Sequence, residues 1–183
     1  LTEPRPGDRI RSPLEALAFL GATPAAEPAS DSWVHFQGRR EELDLAARCL
    51  PERARATKVP AIAVVAGPHG SGKTRLLAAA IPPLQAAGFR VAAAWEGEHP
   101  LGRLRAALGA RGGGDAAGDL LDAARGRPTC LVIDEARTRD CEEFLRRLEA
   151  AAGLPLVAIV ALAPGEPMPA VRCERLRLQG LSL

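Results

Sequence analysis

Four short, largely apolar runs stand out along the chain, and Arg90 is the one charged residue within them. They are Ala61–Ala66, Phe89–Ala94, Cys130–Ile133 and Leu156–Leu162. Unbroken apolar runs of this length are typical of strands that are covered on both faces of a parallel sheet. A weaker, alternating run at Cys173–Leu178 predicts a fifth strand.

Stretches with helical periodicity separate these predicted strands. They cover Lys73–Gln85, Leu101–Ala110, Leu120–Arg125 and Cys141–Ala152. Strands that alternate with helices form parallel sheets through right-handed crossovers, which place helices on both faces of the sheet. The pattern therefore predicts an α/β domain with three layers, α/β/α, around a five-stranded and mostly parallel sheet.

The N-terminal part of the chain has a different pattern. Residues 1–20 carry apolar positions at helical spacing, whereas residues 21–32 are rich in Ala, Pro and Ser without any periodicity, as expected of a linker. The remainder, residues 33–183, has the pattern of one core domain and begins with a predicted helix at Arg39–Arg55. We therefore expect an N-terminal helix and linker at 1–32, followed by the core domain.

Composition and charge narrow the class of protein. The 24 Lys and Arg residues nearly balance the 22 Asp and Glu residues, so no basic surface for nucleic acid or an acidic membrane is indicated. No apolar run approaches the roughly 20 residues of a membrane span, and no secretory leader is evident, so we expect a soluble, cytoplasmic protein. Because the sequence begins with Leu1 rather than Met, we expect a fragment of a longer chain.

The cysteines indicate a reducing compartment. Cys49, Cys130, Cys141 and Cys173 form no C-x-x-C pair, and a domain of this size can bury a core without disulfides. We expect all four to be reduced and buried as small hydrophobic residues.

A glycine-rich loop follows the first predicted strand and precedes a predicted helix. It matches the pattern G-x-x-x-x-G-K-[ST] with the residues Gly67, Pro68, His69, Gly70, Ser71, Gly72, Lys73 and Thr74. Glycines let backbone N–H groups turn toward a phosphate, and the following helix presents its positive N-terminal end. In this motif Lys73 reaches the β- and γ-phosphates, and the Thr74 hydroxyl binds Mg²⁺. The loop therefore predicts a site for the phosphates of a nucleotide.

Two carboxylates, Asp134 and Glu135, directly follow the apolar run that begins at Cys130. An apolar strand that ends in this way resembles a Walker B element, in which Asp134 holds a Mg²⁺-bound water and Glu135 orients or deprotonates the attacking water. The alternative is a strand that simply ends in surface charge. Since the carboxyl ends of parallel strands meet at one edge of the sheet, the phosphate loop favours the first interpretation. Glu135 and Lys73 are thus the catalytic candidates, with Thr74 and Asp134 as metal ligands.

Together these motifs resemble the nucleotide-binding domain of AAA-type signalling ATPases of the STAND class, over residues 33–183. Residues 36–43 resemble the entry motif that lies against the adenine in that family, so Gly38 and Arg39 are candidates for contact with the base. Arg75, directly after Thr74, is a further candidate for contact with the nucleotide, and a solvated helix position is its alternative. The resemblance implies ATP or ADP with Mg²⁺, bound to a P-loop NTPase core whose helical lid lies outside this sequence.

The sequence departs from that family at the end of the fourth predicted strand. It reads Ala161-Leu162-Ala163 where the family has a polar or Arg residue that senses the γ-phosphate, which questions hydrolysis more than binding. Gln37 replaces the usual aliphatic residue at the adenine edge. At the other end of the chain, the residues up to Leu17 resemble the last helical region of a serine/threonine kinase domain, and a generic amphipathic helix is the alternative.

These features predict a Mg²⁺-ATP-binding regulatory module of a multidomain signalling ATPase. It would act as a nucleotide-dependent switch, with slow ATP hydrolysis as a further expectation. One alternative is an active ATP-hydrolysing motor or loader, which Glu135 favours and Ala163 disfavours. Another is an interaction scaffold whose loop does not bind nucleotide. A kinase for a small substrate is disfavoured because the Asp134-Glu135 pair is suited to activating water.

The expected partners follow from the same features. They are the nucleotide, other domains of the same parent chain and, as a candidate, a second copy of the chain. Arg137 and Arg139, just beyond Glu135, are the candidates for a cation that acts on a neighbouring subunit.

Overall fold

Five parallel strands form the central sheet in this computed structural model, which describes residues 39–95, 99–110 and 115–180. The strands are β1 Ala61–Ala66, β2 Arg90–Ala94, β3 Thr129–Ala136, β4 Leu156–Leu162 and β5 Glu174–Arg177. Their order in the sheet is β2-β3-β4-β1-β5, and every neighbouring pair is parallel. The α/β fold and the five-stranded parallel sheet predicted from the sequence are confirmed.

Helices cover both faces of this sheet. They are α1 Arg40–Asp44, α2 Leu50–Thr57, α3 Lys73–Ala86, α4 Pro100–Ala107, α5 Ala116–Ala123 and α6 Thr138–Ala150, with a π-helical segment, Leu45–Cys49, between α1 and α2. The helix and linker predicted for residues 1–32, and the candidate base contact Gly38, lie outside the described residues.

The π-helical segment is a difference from the single regular helix predicted for Arg39–Arg55. In this segment the Leu50 N–H donates to the carbonyl of Leu45, five residues earlier. Pro51 follows as the second residue of α2 and, having no N–H, donates no hydrogen bond to the preceding turn. The wider turn directly before Pro51 lets the chain stay helical through a residue that normally interrupts a helix.

Two apolar layers fill the space between the sheet and its helices. Val65 of β1 and Leu76 of α3 belong to one layer. Val64 belongs to the other, together with Leu104 of α4 and Phe144 of α6. Successive side chains of a strand point to opposite faces, so an unbroken apolar run is what a strand with helices on both sides requires.

Successive strands are added to the sheet in opposite directions on the two sides of β1. From β1 the chain crosses to β2 at the far edge, returns through β3 and β4, and adds β5 on the other side of β1. Because parallel crossovers are right-handed, α3 lies on one face and α4–α6 lie on the other, and the reversal leaves a crevice at the carboxyl ends of β1 and β4. The phosphate loop leaves β1 at this edge, and Asp134 and Glu135 lie near the same end of β3.

Several boundaries differ from the predicted ones. β3 continues through the two carboxylates to Ala136, and α6 begins at Thr138 rather than Cys141. The prediction that all four cysteines are buried is confirmed for Cys130 and Cys141 and wrong for Cys49, which is exposed, while Cys173 is half-buried. Among the described helices, none is both long and apolar enough to cross a membrane.

Candidate functional site

The phosphate loop connects the end of β1 to the first residue of α3. Gly70 has a φ of 74° and Gly72 a φ of 86°, both in the left-handed region that disfavours residues with a side chain. Gly72 is also the N-cap of α3, which begins at Lys73. Left-handed residues among right-handed ones give the backbone a concave turn that collects N–H groups, and the positive end of α3 faces the same place.

Gly67, the first glycine of the motif, is required for packing rather than for its backbone angle. A β-carbon at this position would lie 2.5 Å from the carbonyl oxygen of Leu178 and 2.6 Å from Ser71 Oγ. Both distances are far below van der Waals contact. The loop can therefore lie against the segment after β5 only because residue 67 has no side chain.

Lys73 is buried across the base of the loop, with 4% of its surface exposed. Its Nζ donates hydrogen bonds to the carbonyl oxygens of Gly67, at 3.0 Å, and Pro68, at 3.2 Å. These two bonds leave one of the three ammonium hydrogens for another acceptor. A buried cation inside a cradle of backbone groups is suited to an anionic ligand.

The other side chains of the loop define its open side. Pro68, His69 and Thr74 are exposed, and Arg75 is exposed one residue further along α3. Ser71 is different, because only 1% of its surface is exposed and its Oγ has no hydrogen-bond partner. Thr74 is exposed at the first turn of α3, which is compatible with its predicted role as a metal ligand.

Asp134 is the second buried group at this edge of the sheet, with 3% of its surface exposed. Its Oδ1 accepts a hydrogen bond from the Glu135 N–H at 3.0 Å, whereas its Oδ2 is buried without a partner. Buried polar atoms are paired in nearly all native structures, so an unpaired carboxylate oxygen calls for a ligand. Ser71 Oγ, Asp134 Oδ2 and Arg90 Nε are the buried side-chain atoms without a partner in the described chain.

Glu135 has an unusual backbone conformation. Its φ is 52°, although it is not a glycine, and the pairing of β3 with β4 shifts register between Ile133 and Ala136. A left-handed residue in a strand costs free energy and persists only where its surroundings hold it, which is common at functional sites. The bulge therefore gives Glu135 an orientation that regular strand pairing would not give.

A groove of about 800 Å³ lies beside Glu135. We call it the Glu135 groove, and its lining includes His99, Arg105, Asp134, Glu135, Arg137, Arg139, Asp140 and Ala163. Arg137 and Arg139 thus share a cavity with Glu135, as their positions in the sequence suggested. Ala163 lies here too, so the wall at the end of β4 offers a methyl group in place of a polar side chain.

The structure gives Arg39 a clear structural contact. The residue is buried, and its Nη2 donates to the carbonyl oxygen of Gln179 at 2.5 Å. This bond ties the start of α1 to the segment after β5. The predicted contact of Arg39 with the base stays a prediction.

A magnesium ion fits the residues present. The described part of the chain holds no cluster of three or more His, Cys, Asp or Glu side chains that would form a self-contained metal site. Mg²⁺ in nucleotide sites does not need one, since one or two protein oxygens, phosphates and waters complete its shell. The unpaired Asp134 Oδ2 and the exposed Thr74 hydroxyl are oxygen donors of this kind.

Sequence reasoning missed the contacts that surround Glu135. Glu166 Oε2 accepts a hydrogen bond from the Thr138 N–H at 2.9 Å, and Thr138 Oγ1 donates to the Pro167 carbonyl. The residues that make these contacts are 28 and 29 positions apart. No local pattern signals such a contact.

Comparison with solved structures identifies the fold. The AAA domain of FIGL-1, solved in complex with ADP, matches with a TM-score of 0.50 and 19% identity, over 80% of this chain and 55% of that one. The fold is that of an AAA domain. Trip13 in the E. coli MS115-1 HORMA:CdnC:Trip13 complex has a TM-score of 0.47 and 18% identity over 75% of this chain. Rhizobiales Trip13 has a TM-score of 0.45 and 19% identity over the same share.

The similarity to AAA domains is limited to structure. The chain spans between 55% and 58% of the length of these solved structures. No protein-family model and no curated protein matches the sequence. The AAA fold agrees with the predicted AAA-type core, whereas the STAND class and the kinase tail stay predictions.

Proposed function

We propose that the chain is a Mg²⁺-dependent ATP- and ADP-binding module that works as a nucleotide-controlled switch in a multidomain signalling ATPase, with slow hydrolysis of ATP. The observation that carries this proposal is that one edge of the sheet holds two buried charged side chains whose hydrogen-bonding capacity is not fully used. Lys73 lies in the glycine-rich phosphate loop after β1. Asp134, which has an unpaired oxygen, lies on β3, and β4 is the one strand between β3 and β1.

The loop residues supply the binding of phosphates. Lys73 Nζ would turn from the carbonyls of Gly67 and Pro68 toward phosphate oxygens, and the N–H groups at the start of α3 would donate to the same anion. The left-handed Gly70 and Gly72 hold this backbone in shape before the ligand arrives. Binding therefore needs little reordering of the loop, which favours affinity.

Thr74 and Asp134 would hold the metal from two sides of the crevice. Bound Mg²⁺ neutralises phosphate charge that the chain's own cations leave uncompensated. Without the metal, the unpaired Asp134 carboxylate would repel phosphates bound at the same edge of the sheet. Nucleotide binding should therefore depend on the metal.

Glu135 would orient or deprotonate the attacking water. Its carboxylate lines the Glu135 groove, which gives water a route to the end of the crevice. Ala163 supplies no hydrogen bond to the transferred phosphate from the end of β4, so one stabilising contact of the transition state is missing. We therefore expect slow hydrolysis, as suits a switch more than a motor.

The partners in this proposal are protein surfaces. The segment after β5 contacts the phosphate loop through Gly67, and Arg137 and Arg139 lie in the open Glu135 groove. Other domains of the parent chain would respond at the first of these places, and a second copy of the chain at the other. A cytoplasmic location, where ATP and Mg²⁺ are plentiful, is part of the same proposal.

Isothermal titration calorimetry with ATP and ADP, with and without Mg²⁺, tests the proposal. The chain offers a matched control, because Lys58 is its one other lysine and is exposed. We expect saturable, Mg²⁺-dependent binding that Lys73→Ala weakens by about ten-fold or more and Lys58→Ala leaves unchanged. If folded protein binds neither nucleotide, the scaffold alternative replaces the switch.

The motor alternative keeps one observation in its favour, which is the strained Glu135. Comparing ATP turnover by the wild type and by Glu135→Gln separates the two. Rapid turnover that the substitution abolishes would support a motor, whereas slow turnover that it abolishes supports the switch. Equal rates in the two proteins would remove Glu135 from the catalytic step.

A further inference from the structure

Two loops that leave the sheet at neighbouring strands are tied together beside Glu135. The Ala163 N–H, after β4, donates to the Ala136 carbonyl at the end of β3, at 2.9 Å. Two residues on, the Thr138 N–H donates to Glu166 Oε2 at 2.9 Å, and Thr138 Oγ1 donates to the Pro167 carbonyl. We call the contacts of Thr138 with Glu166 and Pro167 the exit latch.

The exit latch follows Glu135 almost immediately in the chain. The left-handed Glu135 is fixed on its N-terminal side because its own N–H bonds to Asp134 Oδ1. On its C-terminal side, Ala136 and Thr138 are held by hydrogen bonds to residues 163–167, the segment after β4 that we call the β4 exit. A strained residue keeps its conformation only when contacts on both sides determine it, and the latch is the second of these sides.

Glu166 is itself held in place for this contact. Its N–H donates to the Ala163 carbonyl at 3.2 Å across a turn in which Gly165 has a φ of 82°. Its acceptor role is also needed, because Arg137, the N-cap of α6, makes no side-chain hydrogen bond to the helix. Glu166 thus caps α6 from another part of the chain and places a negative charge at the positive helix end.

We propose that Glu166 is a positioning residue that acts through Thr138 to hold Glu135 in its left-handed conformation. The proposal rests on the proposed function, because it assigns to the β4 exit control over the residue that orients the attacking water. Without the latch, the bond from the Ala163 N–H to the Ala136 carbonyl is the one anchor of those described above that remains on the C-terminal side of Glu135. Glu135 then relaxes, and its carboxylate moves within the Glu135 groove.

Three variants of the chain test this proposal through steady-state kinetics. Glu166→Ala removes the acceptor of the Thr138 N–H, whereas Glu166→Gln keeps an acceptor oxygen. Glu142→Ala is the matched control, since Glu142 Oε1 also joins α6 to the chain that follows β4, through the Ala170 N–H at 3.3 Å, but lies further from Glu135 in the chain. We expect Glu166→Ala to lower kcat about ten-fold and the other two variants to stay within about two-fold of wild type, with KM for ATP and the Kd for ADP unchanged in all three.

A second measurement does not depend on turnover. The three-bond coupling between the amide and α protons of Glu135 reports its φ, and hydrogen exchange at the Thr138 amide reports the latch bond. Both should change in Glu166→Ala and stay as in wild type in Glu142→Ala. If the wild type binds nucleotide without hydrolysing it, the hydrolytic part of the proposed function fails, and these two measurements still decide the latch. An unchanged coupling in Glu166→Ala, or an equal loss of kcat in Glu142→Ala, overturns the positioning role.

Discussion

A β-carbon on Gly67 would lie 2.5 Å from the carbonyl oxygen of Leu178. The first residue of the phosphate loop therefore touches the backbone just after β5, where the Leu178 N–H also donates to the Ala66 carbonyl at 2.7 Å. Arg39 bonds to the next residue, Gln179. A shift of the loop on nucleotide binding would reach this segment through direct contacts.

Replacement of Gly67 by alanine tests how tightly this contact is packed. We expect Gly67→Ala to lower the free energy of unfolding by about 1–3 kcal/mol, because the new methyl group meets backbone that cannot turn away. Urea unfolding followed by circular dichroism measures the change. Gly180→Ala is the control, since a β-carbon there meets nothing within 4 Å. A Gly67→Ala protein with the urea midpoint of wild type would show that the loop does not pack closely against Leu178, in the segment after β5.

The sheet and the phosphate loop could be predicted because they depend on local sequence. Apolar runs such as Leu156–Leu162 match their strands, since a strand buried on both faces tolerates few polar residues. The loop was predictable because Gly70 and Gly72 take left-handed angles, which glycine adopts without steric cost. In each case the residue type records a local physical requirement.

The surroundings of Glu135 could not be predicted, because they depend on contacts between distant parts of the chain. A left-handed angle is usually signalled by glycine, and here a glutamate adopts it. Nothing near Glu166 in the sequence indicated that it caps α6. The same limit applies to Gly67, whose partner Leu178 belongs to the opposite end of the domain.

The exposed thiol of Cys49 and the buried thiols of Cys130 and Cys141 should differ in reactivity in the folded protein. Burial raises the pKa of Cys141 to about 12, helped by the carboxylates of Asp140 and Glu142, and burial also raises the pKa of Cys130. Because thiolates are the reactive form, we expect Ellman's reagent near neutral pH to modify the exposed Cys49 first. Cys130 and Cys141 should react only after unfolding in urea. Rapid modification of Cys141 in the folded state would contradict its burial on the inner side of α6.

The raised thiol pKa values also predict how the free energy of unfolding changes with pH. A folded-state pKa above the unfolded value of 9.0 means that folded Cys141 keeps a proton that the unfolded chain releases. The stability from this group is complete below pH 9.0 and is lost as the pH rises toward about 12. Urea midpoints measured from pH 8 upward should therefore fall in the wild type, and fall less in Cys141→Ala. An equal fall in both proteins would assign the effect to other groups.

Asp134 should lower stability in the absence of nucleotide while it supports binding. Asn at this position keeps an oxygen for the Glu135 N–H and replaces the buried, unpaired Oδ2 by a neutral group, so Asp134→Asn should raise the free energy of unfolding by about 1–2 kcal/mol. The same variant should lose the Mg²⁺ dependence of ATP binding. Asp140→Asn, an exposed carboxylate in the same groove, should do neither. Urea unfolding and calorimetry measure the two effects, and a destabilised Asp134→Asn would mean that Oδ2 is already well satisfied.

Two substitutions at Glu135 separate the effect of its strained backbone on stability from the effect of its carboxylate on turnover. Glu135→Gly should raise the free energy of unfolding by about 1 kcal/mol, since glycine adopts a φ of 52° without a steric penalty, whereas Glu135→Gln keeps the strain and should match the wild type. Both variants should bind ATP and lose turnover, because neither has a carboxylate to activate water. Thermal unfolding and an ATPase assay on the same samples measure these effects. A Glu135→Gly protein less stable than Glu135→Gln would show that the left-handed angle is not strained, and that the side chain itself stabilises the fold.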